Sequence, residues 1–160
     1  QTRIYGKMTC MQNMAVSVPY RGGRGGMFGR FDRTVADRAE ELLEFVGLYS
    51  KRHLRGGDLS FGQQKLLEFA MALMNEPKML LLDEPTAGIN PTLINGLIDR
   101  LKRANEQLGV TLLVIEHNMR VIMNLAERLY CLAHGELLAE GRPEAIRNDQ
   151  RVIDAYLGAH

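Results

Sequence analysis

The feature that most constrains this chain is the run Leu80-Leu81-Leu82-Asp83-Glu84-Pro85, an apolar stretch that ends in two adjacent carboxylates. With Pro77 before it and Pro85 after it, the segment Lys78 to Leu82 is too short for a core helix and reads as a buried β-strand of an α/β sheet. Ligands of open α/β sheets bind beyond the carboxyl ends of the strands, which is where Asp83 and Glu84 fall. A carboxylate beside a phosphate commonly holds Mg²⁺, so Asp83 is a candidate metal ligand. Glu84 is then a candidate base for an attacking water. The plainer reading, two ordinary turn residues at a strand end, has to meet the cost of burying such groups without a cation or partner.

Both flanks of this run carry related signals. Upstream, Ser60 and Gln63 stand at capping-box spacing, and Gly62 leaves the first helical turn bare, so a helix from about Ser60 to Asn75 starts with N–H groups that suit an anion. Any Ser-capped helix shares that form. Downstream, Asn90 and Pro91 supply an N-cap and an N1 proline for a helix reaching toward Leu108, which Gly109 ends. Val110 to Ile115 is a second apolar strand without alternation, as expected where both faces of a parallel sheet are covered. Glu116-His117 follows it. If the two strands are neighbours, His117 sits beside Asp83 and Glu84 and can donate to a terminal phosphate.

The remaining chain reads as ordinary α/β scaffolding. Thr9 can cap a short helix with Met11, Met14 and Ala15 on one face, and Thr34 with Asp37 forms a capping-box pattern ahead of Val35, Ala39, Leu42, Leu43 and Val46, closed by Gly47. Between them, residues 19–33 are rich in Gly and Arg and fit a solvated loop. Asn118 caps the next helix, Leu129 to His134 and Glu136 to Ala139, joined across Gly135, read as two further strands of a hairpin or meander, and Pro143 opens a terminal helical stretch. The alternation of helix and strand predicts an α/β fold with a largely parallel sheet.

Composition narrows the function classes. Twenty basic against nineteen acidic side chains leave a formal charge of +1, too little for a field that attracts nucleic acid nonspecifically. Cys10 and Cys131 are the only cysteines and neither has metal-ligand spacing, so a disulfide framework and a structural zinc are not expected. No apolar run approaches the length needed to cross a bilayer.

Taken together, LSFGQQ (59–64), LLLDEP (80–85), AGINP (87–91) and IEHNM (115–119) resemble the signature motif, the Walker B strand with its following glutamate, the D-loop and the H-loop of an ABC-type ATPase. The resemblance runs from Thr9 onward. The aromatic in LSFGQQ, the AGINP form and the ending VIDAYLG are similar to ATP-binding subunits of branched-chain amino-acid importers.

That resemblance implies an α/β fold, the C-terminal part of an ABC nucleotide-binding domain, with residues 1–76 as a helical subdomain and 77–160 as the rest of the RecA-like core. It also implies ATP and Mg²⁺ as ligands, a second nucleotide-binding subunit and transmembrane permease subunits as partners, and a place on the inner face of the cell membrane. Ser60, Gly62 and Gln63 would contact ATP held by the partner, Asp83 would hold Mg²⁺, Glu84 would polarise water, and His117 would hold the terminal phosphate. Asn90, where many relatives have Asp, would make contact across the dimer. What looks like one site between Asp58 and Pro91 would therefore serve two nucleotides. No GxxxxGK[ST] occurs in these residues, so the chain is expected to be the C-terminal portion of a longer subunit and inactive alone. The alternatives are a non-catalytic interaction module and a soluble ABC ATPase unconnected with transport.

Overall fold

The computed structural model describes residues 3–19 and 33–157. The expected Gly/Arg-rich loop falls almost wholly outside them. The chain forms two compact units, Gln1–Val114 and Ile115–His160, and each is described by itself.

The first unit begins with α1 (Cys10–Val16), capped as expected by Thr9 in a reciprocal box with Gln12. Its buried side is Cys10, Asn13 and Met14, which replaces the anticipated stripe of Met11, Met14 and Ala15. Asn13 can take a core position because its side chain is fully used. Its Oδ1 accepts from the Tyr5 N–H at 2.7 Å and its Nδ2 lies within reach of the Tyr5, Met8 and Thr9 carbonyls.

Helix α2 (Arg33–Phe45) already includes Thr34 in its first turn, so Thr34 is not the N-cap and the anticipated box with Asp37 gives way to an earlier start. Its end is the expected one. Gly47 has a φ of +77°, and the Leu48 N–H reaches the Leu43 carbonyl at 2.7 Å while the Gly47 N–H reaches Glu44 at 2.9 Å, a Schellman closure. α3 (Phe61–Leu73) packs with α1 and α2 around Met14, Leu42, Leu43, Leu67 and Leu73, all fully buried.

From this helical cluster the chain passes into β1 (Met79–Asp83), α4 (Pro91–Leu108) and β2 (Thr111–Ile115), with β1 and β2 as neighbours in a two-stranded sheet. A helical crossover between adjacent strands makes them parallel. The expectation that both strand faces are covered does not hold among the described residues. Burial alternates along both strands, with Leu81 at 73% and Leu113 at 45% exposure, because these residues supply cover for one face only.

The second unit holds α5 (Met119–Leu125), capped by Asn118, whose Oδ1 accepts from the Arg120 and Val121 N–H groups. A hairpin follows, β3 (Leu129–Ala133) and β4 (Glu136–Gly141), paired antiparallel from Leu129↔Gly141 to Ala133↔Glu136. His134 and Gly135 both have positive φ, the two-residue turn whose twist suits a hairpin. The terminal helical stretch is two helices, α6 (Pro143–Arg147) and α7 (Gln150–Leu157), because Asp149 accepts from the Arg151 N–H at 2.9 Å and starts the second. Ala139, Ile146 and Val152 form a small core with Leu129, Cys131 and Leu138.

Candidate functional site

Three of the anticipated site residues stand at the start of α3. Ser60 is its N-cap: Ser60 Oγ accepts from the Gln63 N–H at 3.4 Å, and Gln63 Oε1 accepts from the Ser60 N–H at 3.1 Å. The anticipated capping box is therefore formed. Neither the hydroxyl hydrogen of Ser60 nor the Gln63 amide N–H₂ is consumed by it, so both remain donors. Helix geometry leaves the first-turn N–H groups of Phe61 and Gly62 without an intrahelical acceptor. The turn is a small array of donors at the positive end of a helix dipole, where an anion is favoured.

The carboxylate pair lies at the opposite end of the same segment. Asp83 is the last residue of β1 and Glu84 the first beyond it, and both are exposed. Glu84 adopts φ +44°, a left-handed conformation that turns the chain sharply out of the strand. The loop then closes through two successive turns, with the Ala87 N–H on the Glu84 carbonyl at 3.0 Å and the Ile89 N–H on the Thr86 carbonyl at 3.1 Å. Thr86 and Ile89 are buried, which anchors a loop whose Ala87 and Gly88 face solvent.

The loop delivers Asn90 to the start of α4, where its Oδ1 accepts from the Thr92 N–H at 3.0 Å and from Thr92 Oγ1 at 2.8 Å. Asn90 thus has the N-cap role anticipated for it. The start of α4 also meets the start of α3: a Cβ placed on Gly62 would come within 3.1 Å of Leu93 Cδ1 and 3.8 Å of Ile89 Cγ2. Ser60, Gly62, Gln63 and Asn90 are accordingly drawn toward one region of the first unit.

His117 belongs to the second unit. With Glu116 it lines a cavity of about 60 Å³ together with Cys131, Ile146 and Tyr156. Glu116 Oε2 accepts from the Asn118 N–H at 3.4 Å, bracing the residue pair against the cap of α5. Burial pushes the Cys131 thiol up, and Asp149 adds to the shift. A wider groove of about 710 Å³ runs past Arg128, Glu140 and Arg142, and none of the anticipated site residues lines it.

The donor set suits a hard cation shared with phosphate. No group of three or more His, Cys, Asp or Glu side chains able to hold a metal occurs among the described residues. One or two carboxylate oxygens are what Mg²⁺ takes from a protein when phosphates and water complete its shell. The sequence reading passed over Asn13 and Gly88. An Asn at helical spacing from apolar Cys10 was a visible signal for the first, whereas nothing local marks the neighbour that Gly88 meets.

Residues 1–87 match the ABC transporter family, and residues 136–160 match the branched-chain amino acid ATP-binding cassette transporter family. A probable branched-chain amino acid transport ATP-binding protein LivG of Archaeoglobus fulgidus is 34% identical over 158 residues, which cover 96% of this chain and 61% of that protein. The high-affinity branched-chain amino acid transport ATP-binding protein LivG of Escherichia coli K12 is 34% identical over 165 residues, covering 98% and 64%. The chain thus spans less than two thirds of the length of either relative.

Among solved structures, the ADP conformation of an ATP-binding cassette of an ABC transporter matches with a TM-score of 0.83 and 29% identity, over 96% of this chain and 64% of that one. The dimeric post-hydrolysis state of a cassette bound to ADP and Pi matches with a TM-score of 0.68 and 29% identity, over 88% and 59%. These likenesses bear out the anticipated α/β fold class.

Proposed function

The chain belongs to the ABC transporter family, and from that premise we propose that it is the signature-bearing and carboxylate-bearing part of an ATPase subunit that powers import of branched-chain or related amino acids. The observation that carries this reading is the exposed Asp83–Glu84 pair at the carboxyl end of β1, followed by a loop whose Gly88 and Ile89 meet the donor turn of α3. Names of relatives aligned over nearly all of the chain support the amino-acid class.

In this mechanism Asp83 would hold Mg²⁺ through a carboxylate oxygen, and the ion would supply neutralisation of phosphate charge. Glu84 orients the attacking water and accepts its proton. His117 donates a hydrogen bond to the terminal phosphate. Ser60, Gly62 and Gln63 present their donors to ATP held by a second nucleotide-binding subunit, and Asn90 makes contact across that dimer. Residues 1–76 act as the helical subdomain and 77–160 as the remainder of the ATPase core.

No described helix is long and apolar enough to cross a membrane. The subunit would sit on the cytoplasmic face through permease subunits, docked around residues 8–48. A phosphate loop must complete the site, since no GxxxxGK[ST] occurs in the 160 residues. The test is calorimetry and phosphate release. Residues 1–160 alone should neither bind Mg·ATP tightly nor hydrolyse it, whereas the full-length subunit with its permease should do both. Failure of the full-length complex to release phosphate would overturn the reading.

A further inference from the structure

The loop that follows the carboxylate pair touches the donor turn of α3 at Gly88, against Phe61, and at Ile89, against Gly62. Gly88 has φ +73°, and a Cβ placed on it would come within 3.0 Å of Phe61 Cε1, 3.6 Å of Cζ and 3.7 Å of Cδ1. Three atoms of one ring edge over a single Cα mean that the ring is seated on the glycine. Residue 88 must be glycine twice over, for its backbone conformation and for the space the ring occupies. Phe61 remains 43% exposed, and Lys65 one turn on holds its Nζ 5.9 Å from the ring centroid. Burial alone therefore does not account for a phenylalanine here.

The second line of contact runs parallel to it, Gly62 against Leu93 and Ile89. Because Ile89 is buried and Asn90 caps α4, the far side of the loop is anchored. The exposed residue 88 meets α3 through the Phe61 ring.

We propose that Phe61 is a positioning residue whose ring, seated on Gly88, locks the donor turn Ser60–Gln63 to the loop leaving Glu84, so that the two move as one body. This rests on the assignment of ATP hydrolysis made above and deepens it. The turn faces a nucleotide on the partner and the carboxylates face the chain's own, so the contact couples the two sites mechanically.

The test uses the full-length subunit assembled with its permease, with turnover followed against ATP concentration and thermal melting recorded in parallel. Phe61→Ala should melt like the parent, lose about tenfold in kcat with a smaller change in half-saturating ATP, and flatten the cooperativity of the ATP response. Phe61→Tyr, which keeps the ring, should restore all three. Gly88→Ala should lose at least as much as Phe61→Ala. The double variant should be no worse than Gly88→Ala, because both changes break one contact.

Parental kinetics in Phe61→Ala, failure of Phe61→Tyr to rescue, or losses that multiply in the double variant would each overturn the proposal. If Phe61→Ala melts early, Phe61→Leu takes its place with the same expectations. Glu84→Gln is the control: parental turnover there sinks the ATPase assignment itself, while its loss beside a parental Phe61→Ala sinks only the positioning role.

Discussion

The helical cluster α1–α3 is built from amphipathic sequence and the strand pair β1–β2 from nearly continuous apolar sequence, and the two end in opposite states. In the cluster, Met14, Leu42, Leu43, Leu67 and Leu73 are sealed among themselves and the buried amide of Asn13 is satisfied. In the strand pair, Met79, Leu81 and Leu113 face outward. The core of the cluster is covered by its own described helices. The strand pair is finished on one face only, and it is this open element that carries the carboxylates. The sealed core and the proposed carboxylate chemistry thus lie in different regions, with the donor turn of α3 at the rim of the closed one, a division that substitutions can break.

The largest effect should come from the open region and should leave stability alone. In the full-length subunit, Glu84→Gln is expected to lower turnover by roughly 10²–10⁴-fold while ATP still binds, the range for a lost general base. Phosphate release and nucleotide binding measured on the same preparation check it. A matching loss of melting temperature would dissolve the contrast, because Glu84 would then be part of what holds the loop.

Next in size is the cost of truncating apolar side chains. Leu67→Ala in the sealed cluster should lose about 2–5 kcal/mol by denaturant titration, from lost transfer energy and the cavity left behind. Leu81→Ala, exposed among the described residues, should stay within about 0.5 kcal/mol in the 160-residue chain. Repeating the pair in the full-length subunit sharpens the comparison. If Leu81→Ala now costs as much as Leu67→Ala, further residues cover the open face.

Asn13→Ala should cost about 1–3 kcal/mol, since it removes a buried amide that satisfies part-buried backbone groups of Tyr5. Its effect belongs to the closed region, so turnover per folded molecule should hold. Amide hydrogen exchange at Tyr5, whose N–H loses its acceptor, is the direct readout.

These contrasts follow the division between local and tertiary information. Caps at Thr9, Ser60, Asn90 and Asn118 and the stop at Gly47 were legible because each rests on residues within a few positions of one another. So was the carboxylate pair, since an apolar run ending in two acids is a local pattern with a chemical meaning. The exposed faces of β1 and β2 were not. An unalternating apolar strand announces that both faces want cover, and only the packing shows which face receives it. The seat of Phe61 on Gly88 was equally hidden, because it joins positions 27 residues apart that no periodicity links. Asp149 was a local cap signal that went unused beside the stronger run of apolar residues in α7.

The smallest expected effect is also the one that separates two roles at a single atom. Ser60 Oγ caps α3, and in the proposed mechanism the same hydroxyl donates to the partner's nucleotide. Ser60→Ala removes both functions and should cost about 1 kcal/mol of stability, whereas Ser60→Gly should cost only a few tenths because glycine is tolerated at an N-cap. If capping were the whole role, ATP turnover would follow stability and Ser60→Gly would behave like the parent. If the hydroxyl also serves the nucleotide, Ser60→Gly keeps the helix and still loses turnover to about the same degree as Ser60→Ala. Melting curves and kcat on this one pair therefore decide whether the closed region contributes chemistry at its rim or only the frame on which the open region works.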